Sequence, residues 1–172
     1  CDGMGTGIGA EAEGKTAANL LRRLLAAGYP AEYALRSLNS LCTLRGSAGA
    51  VTVDLSQIDL ESGKVELYKW GAAPSYLLSD GVAEKIGTAG TPPGLSVTQC
   101  RETVDKLSLR RGETLILLSD GVDGEAAMRR ASEMTRKTPG EMAPKVLTSG
   151  NGNGADDATA AVVRLYPLTL ST

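Results

Sequence analysis

An α+β fold is what this sequence predicts, from three observations. Helical periodicity is confined to residues 10–45 and 125–148, alternating and apolar strand-like runs fill the interval between them, and one more apolar run closes the chain at 158–165. The chain has 172 residues and a net charge of −2, the size of one domain without the basic footprint of a nucleic-acid binder. No repeat or long linker divides it, so a single domain over 1–172 is expected.

Taken in order, Asp2-Gly3-Met4-Gly5-Thr6-Gly7-Ile8-Gly9 is a glycine-dense loop leading straight into a helical pattern. It lacks the Gly-Lys-Ser/Thr ending of a phosphate-cradling P-loop, and Lys15 lies too far along to supply it. Ala17, Leu20, Leu21, Leu24 and Leu25 recur at helical spacing, and Gly28 with Pro30 ends that helix. Leu35, Leu38, Leu41 and Cys42 repeat the pattern to about Arg45, which predicts two antiparallel helices side by side.

Val51, Val53 and Leu55 alternate with Thr52, Asp54 and Ser56. After a turn at Glu61-Ser62-Gly63 the chain resumes with Val65, Leu67 and Tyr68, a hairpin with one buried face. Short strands are expected at 75–78 and 82–86, joined through Ser79-Asp80-Gly81 as a tight turn that carries no chemistry. Further strands are expected at about 101–107 and 114–118, with Arg110-Arg111-Gly112-Glu113 as a turn. The run Thr114-Leu115-Ile116-Leu117-Leu118 has no polar alternation and predicts a strand buried on both faces. Helices at 125–137 and 141–148, separated by Thr138-Pro139-Gly140, precede the closing strand.

Composition narrows the chemistry. With no histidine in the chain, histidine general bases, histidine-ligated zinc and Ser-His-Asp triads are excluded. Cys1, Cys42 and Cys100 are isolated and odd in number, which points to free thiols in a reducing compartment and away from a disulfide framework or a zinc site. Nothing has the length of a transmembrane span, and no signal peptide is visible. Cys1 followed directly by a motif is expected to mark a domain cut from a longer protein at its N-terminal side.

Three carboxylates stand at strand–loop junctions: Asp2 before the glycines, Asp120 directly after the apolar run, and Asp156 beside Asp157 before the last strand. Adjacent acids entering a buried strand are costly without positive charge, and a bound cation supplies it. With oxygen ligands alone on offer, the ion expected is Mg²⁺ or Mn²⁺.

In this order, these segments resemble the metal-dependent PP2C-type (PPM) serine/threonine phosphatases. Within that family the resemblance is greatest to the stage II sporulation protein E branch, which shares the Asp-Gly-Met-Gly form seen here with Met4 where many relatives carry histidine. It extends from Asp2 to about Leu165. The fold it implies is a four-layer αββα sandwich of two antiparallel sheets flanked by helices, here lacking the N-terminal strands. It also implies a two-metal centre of Mn²⁺ or Mg²⁺ in which Asp2 bridges both ions, Gly3 offers its backbone carbonyl, and Asp120 and Asp156 complete the ligand set; Asp157 supports the site.

The implied activity is hydrolysis of phosphoserine or phosphothreonine on a protein by metal-activated water, the carboxylates positioning ions and not attacking. From the sporulation branch, the implied substrate is a phosphorylated STAS-type anti-anti-sigma factor. The setting is bacterial signalling in the cytoplasm, under an upstream regulatory region of a parent that is itself membrane-anchored or free. The family supplies one more acidic ligand from strands preceding Asp2, so weak or absent activity is expected of this stretch alone. Two other readings stand beside it. One is a pseudophosphatase or regulatory binding module of the same fold. The other is a calcium-binding structural domain, whose loops would gather their ligands within about twelve residues.

Overall fold

The computed structural model describes residues 1–5, 7–46, 50–95, 104–148 and 157–166. Its elements in chain order are β1 (Asp2–Gly3), α1 (Ile8–Ala26), α2 (Ala31–Arg45), β2 (Val51–Ile58), β3 (Lys64–Trp70), β4 (Ser75–Ser79), β5 (Val82–Ile86), β6 (Val104–Ser108), β7 (Thr114–Leu118), α3 (Gly124–Ser132), α4 (Pro139–Leu147) and β8 (Ala160–Arg164). They build two antiparallel sheets, in the orders β1-β2-β3-β6 and β5-β4-β7-β8, together with four helices. The expected α+β class therefore holds. The chain groups into two compact units. One comprises Cys1–Leu55, Tyr68–Ala72 and Ala89–Thr103; the other comprises Ser56–Leu67, Ala73–Thr88 and Val104–Thr172.

In the first unit, α1 and α2 run antiparallel, as the ion pair between Arg45 at the end of α2 and Glu13 near the start of α1 shows at 2.6 Å. Ala17, Leu21, Ala34, Leu35, Leu38 and Cys42 form their buried stripe, and Gly28 ends α1 in the left-handed conformation at φ 85°. Gly3 is buried against α1, where a β-carbon on it would overlap the backbone carbonyl of Ala10. From the helix side, a β-carbon on Gly14 would come within 3.0 Å of the Gly3 nitrogen. Helix and strand backbones thus touch directly. Gly3 is opposite Val51 and Asp2 opposite Thr52, so Gly3 and Val51 share the helix-facing side of the sheet. Asp2 and Thr52 share the other.

In the second unit, β7 is the strand on which two cores meet. Leu115 packs with Val65, Leu67 and Leu109 on one face. Ile116 and Leu118 pack with Leu78, Met128, Ala131, Met142 and Val146 on the face covered by α3 and α4. This is the two-sided burial that the unbroken apolar run predicts. The β4–β5 hairpin turns through Asp80 (φ 49°) and Gly81 (φ 83°) with Ser79 opposite Val82, a two-residue type I′-like connection. Asp80 is a turn residue, as expected.

Some boundaries differ from expectation. The helix expected to reach Lys137 ends at Ser132, because the chain tightens into three-residue turns through Met134 N–H to Ala131 and Lys137 N–H to Met134. The freed Lys137 carbonyl accepts a hydrogen bond from the Arg164 guanidinium at 2.8 Å. The expected strand at 101–107 is described from Val104 and runs to Ser108, its first three expected residues lying outside the described ones. Among the described residues, no helix is long and apolar enough to cross a membrane.

The contact of Gly3 with α1 generates a prediction. Gly3→Ala is expected to destabilise the fold by about 1–3 kcal/mol through overpacking against backbone, which moves less readily than a side chain. Urea denaturation of wild type and variant checks it; an unchanged midpoint would show that α1 stands further from β1.

Candidate active site

Asp2 projects from the edge strand β1 with its carboxylate exposed, while Gly3 beside it is buried. The Met4 N–H donates to the Ala50 carbonyl at 2.9 Å, which holds the chain as it leaves the strand. Gly5 (φ 110°) and Gly7 (φ 85°) then turn it into α1 through conformations that side chains disfavour. The position of Asp2 is therefore set by backbone on both sides, through β2 and through α1.

Asp54 lies two residues beyond Thr52 on β2, and alternation puts it on the Asp2 face of the sheet. Its Oδ2 accepts from Lys69 Nζ at 2.6 Å, and Lys69 on β3 is fully buried. Asp54 Oδ1 is also buried and has no hydrogen-bond partner. Burial pushes the Asp54 carboxyl above the usual carboxylate range, while the bond and charge of Lys69 pull the other way.

In the second unit the Ser119-Asp120-Gly121 segment leaves β7 as a tight turn, closed by Val122 N–H donating to the Ser119 carbonyl at 3.2 Å. Ser119 fixes it to the chain entering β8. Its N–H donates to the Thr159 carbonyl at 2.9 Å, and its Oγ accepts from Thr159 N–H at 2.8 Å. The same hydroxyl donates to the Asp157 carbonyl at 3.4 Å. A β-carbon on Gly121 would come within 2.6 Å of that Asp157 carbonyl oxygen, so only glycine lets the two segments lie this close. Beyond the turn, Asp123 caps α3 by accepting from the Glu125 and Ala126 N–H groups at 3.0 and 3.1 Å. Asp120 and Asp157 are both exposed at this junction.

Of the residues predicted as a site, Asp2 and Gly3 belong to the first unit and Asp120 to the second, while Asp156 lies outside the described residues. Ser119 and Gly121, on either side of Asp120, lie against the backbone carbonyl of Asp157, the residue assigned a supporting role. Among the described residues, no three His, Cys, Asp or Glu side chains gather as a metal cluster. The donor set nonetheless fits a hard divalent cation. Each unit taken by itself offers oxygen donors, the first an exposed Asp2 with the orphaned buried Oδ1 of Asp54 on the same face of its sheet, the second the exposed Asp120 and Asp157. The sequence reading missed Asp54 and Lys69. The available signal was a lysine inside an otherwise apolar and aromatic strand end, Leu67-Tyr68-Lys69-Trp70, following a strand with an acid at its centre.

A family model for stage II sporulation protein E (SpoIIE) matches residues 1–166. The chain belongs to the stage II sporulation protein E family. It is 29 % identical over 178 residues to stage II sporulation protein E of Bacillus subtilis (strain 168), covering 95 % of this chain and 21 % of that protein. Among solved structures, it superposes on the PP2C phosphatase domain and regulatory-domain fragment of the cell fate determinant SpoIIE from Bacillus subtilis with a TM-score of 0.79 and 28 % identity, over 95 % of this chain and 52 % of that one. A structure of the SpoIIE phosphatase domain from the same organism, presoaked with manganese, matches with a TM-score of 0.58 and 26 % identity, over 88 % of this chain and 72 % of that one. The family chain is thus homologous to PP2C-type serine/threonine phosphatases. It spans about a fifth of the full-length relative and about half of the first of these solved chains.

The Ser119 bonds generate a second prediction. Ser119→Ala leaves Thr159 N–H without its acceptor and is expected to lower stability by about 1 kcal/mol. Exchange of the Thr159 amide with solvent should accelerate, and an unchanged exchange rate would show that this bond does not hold the turn.

Proposed function

We propose that this chain is a metal-dependent protein phosphatase domain that hydrolyses phosphoserine or phosphothreonine esters on a regulatory protein. The observation that carries the reading is the Asp120 turn. An exposed carboxylate at the end of a strand buried on both faces, locked to the chain of Asp157, is what a PP2C-type ligand requires. Membership of the SpoIIE family over residues 1–166 supports it.

In this reading Asp2, the Gly3 carbonyl, Asp120 and Asp156 would hold Mn²⁺ or Mg²⁺. When bound, such ions supply an activated water nucleophile and stabilise the charge on the transferring phosphoryl oxygens. The chain's own part is placement. The Gly3–α1 contact fixes the Asp2 backbone, and the Ser119–Thr159 bonds fix Asp120. Placement matters because errors of about an ångström in a reacting constellation cost roughly a hundredfold in rate. No side chain serves as nucleophile. Met4 cannot donate a proton, so proton delivery to the leaving oxygen falls to solvent.

The finer reading follows the sporulation branch. The substrate is a phosphorylated STAS-type anti-anti-sigma factor, met in the cytoplasm under control of an upstream regulatory region, and residues 1–172 act as one phosphatase domain.

In the full-length protein, Asp120→Asn is expected to reduce Mn²⁺-dependent hydrolysis of p-nitrophenyl phosphate by about a hundredfold or more, since even supporting groups around a metal are worth 10–100-fold. Asp80→Asn, in the look-alike Ser-Asp-Gly turn, should retain wild-type turnover. Equal rates in Asp120→Asn and wild type would remove the assignment. Release of phosphate from a phosphorylated anti-anti-sigma factor, compared with a phosphotyrosine peptide, tests the substrate class.

A further inference from the structure

Within the first unit, Lys69 and Asp54 form a buried pair that is not among the metal ligands proposed above. Lys69 is fully buried, and its ammonium is bound to Asp54 Oδ2 at 2.6 Å. An ionised carboxylate can accept about four hydrogen bonds. Asp54 Oδ1 is nonetheless buried without a partner, an arrangement that is destabilising unless the oxygen has something to receive.

Its place in the sheet indicates what that is. Asp2 is opposite Thr52, and Asp54 is the next residue on the same face of β2, which makes it the diagonal neighbour of Asp2. Diagonal neighbours on antiparallel strands are about 7–8 Å apart. A cation sits about 2 Å from the carboxylate that binds it, and Mg²⁺-type ions keep several waters in their shell. A cation on Asp2 would therefore carry its hydration shell toward Asp54, the diagonal neighbour on the same face. The ammonium occupies Oδ2 and fixes the carboxylate plane, so the orphaned oxygen is oriented and not free to swing.

We infer that Asp54, anchored by Lys69, is a positioning residue of the metal centre whose Oδ1 accepts hydrogen bonds from the hydration shell of the cation held by Asp2. The inference rests on the metal-site reading above. Lys69 cancels the charge of Asp54, so the pair contributes orientation more than attraction. Groups that orient a metal's ligands in this way are typically worth 10–100-fold in metal affinity. The competing account is a purely structural ion pair. Such pairs can commonly be replaced by apolar residues of similar volume with little loss of stability.

That difference decides the experiment. Mn²⁺ binding to the full-length protein is measured by calorimetry and by electron paramagnetic resonance, with the thermal midpoint of each metal-free variant as the check on folding. Asp54→Leu combined with Lys69→Met should keep a midpoint near wild type and lose about tenfold or more in Mn²⁺ affinity. Asp54→Asn should lose affinity too, because its carbonyl must face Lys69 and its amide then points donors at the cation's waters. Asp2→Asn identifies which idea fails. Wild-type affinity in the Asp54 variants with lost affinity in Asp2→Asn overturns the positioning role alone. Wild-type affinity in Asp2→Asn overturns the metal-site reading and this inference with it. Unfolding of both Asp54 variants also overturns the inference, since it assigns the pair to stability.

Discussion

Both acidic segments depend on one constraint: a backbone must lie against another backbone more closely than any β-carbon permits. In the first unit this occurs where Gly3 meets the Ala10 carbonyl of α1, and in the second where Gly121 meets the Asp157 carbonyl. Packing between side chains leaves tenths of an ångström of adjustment at each interface, whereas peptide groups in direct contact leave little. A carboxylate that must meet a small ion is best carried by the stiffer arrangement. The cost is the conformational freedom of glycine in the unfolded chain, of order 0.5–1 kcal/mol at each position. Burial of residues such as Leu35, Leu38, Val51 and Val53 in the first unit and Leu115 and Ile116 in the second offsets it.

The second constraint is that β7 has no solvent face. Leu115 belongs to one core and Ile116 with Leu118 to the other, so a one-residue slip would exchange the two sets. Its register with β8, Thr114 opposite Arg164 and Leu118 opposite Ala160, is reinforced by polar contacts at the far end from Asp120. There Arg164 donates through Nε to the Thr114 hydroxyl at 2.8 Å and through Nη1 to the Lys137 carbonyl at 2.8 Å. One guanidinium thus fastens β8 to β7 and to the turn after α3, and the acidic end inherits that register.

What could be read from the sequence follows from where each signal resides. The helices, the hairpin at Asp80 and the two-sided burial of β7 depend on local periodicity and turn chemistry, which are written in consecutive residues. Asp2 and Asp120 could be picked out as candidates because each adjoins a glycine at the end of a recognisable segment. The Asp54–Lys69 pair could not. Asp54 reads as the polar half of an alternating strand, and its meaning comes from a lysine fifteen residues on that only strand pairing brings to it. The end of α3 escaped for a similar reason, since the Lys137 carbonyl takes its donor from Arg164, twenty-seven residues later. Asp156 lies outside the described residues, and its role as a ligand is what the resemblance implies.

The Ser119–Thr159 bonds also set a schedule. Their two residues are separated by 40 positions, and a ribosome adding about 5–20 residues each second takes roughly 2–8 s to travel from one to the other. Throughout that interval the nascent chain already carries Asp120, and of the bonds described around its turn only the local one from the Val122 N–H to the Ser119 carbonyl can form. Pairing over such a separation also closes a large loop before any stabilising contact is gained, which slows folding. The acidic turn is therefore tied to its partner segment only after residue 159 has been added, and β8 acts as the latch that completes it.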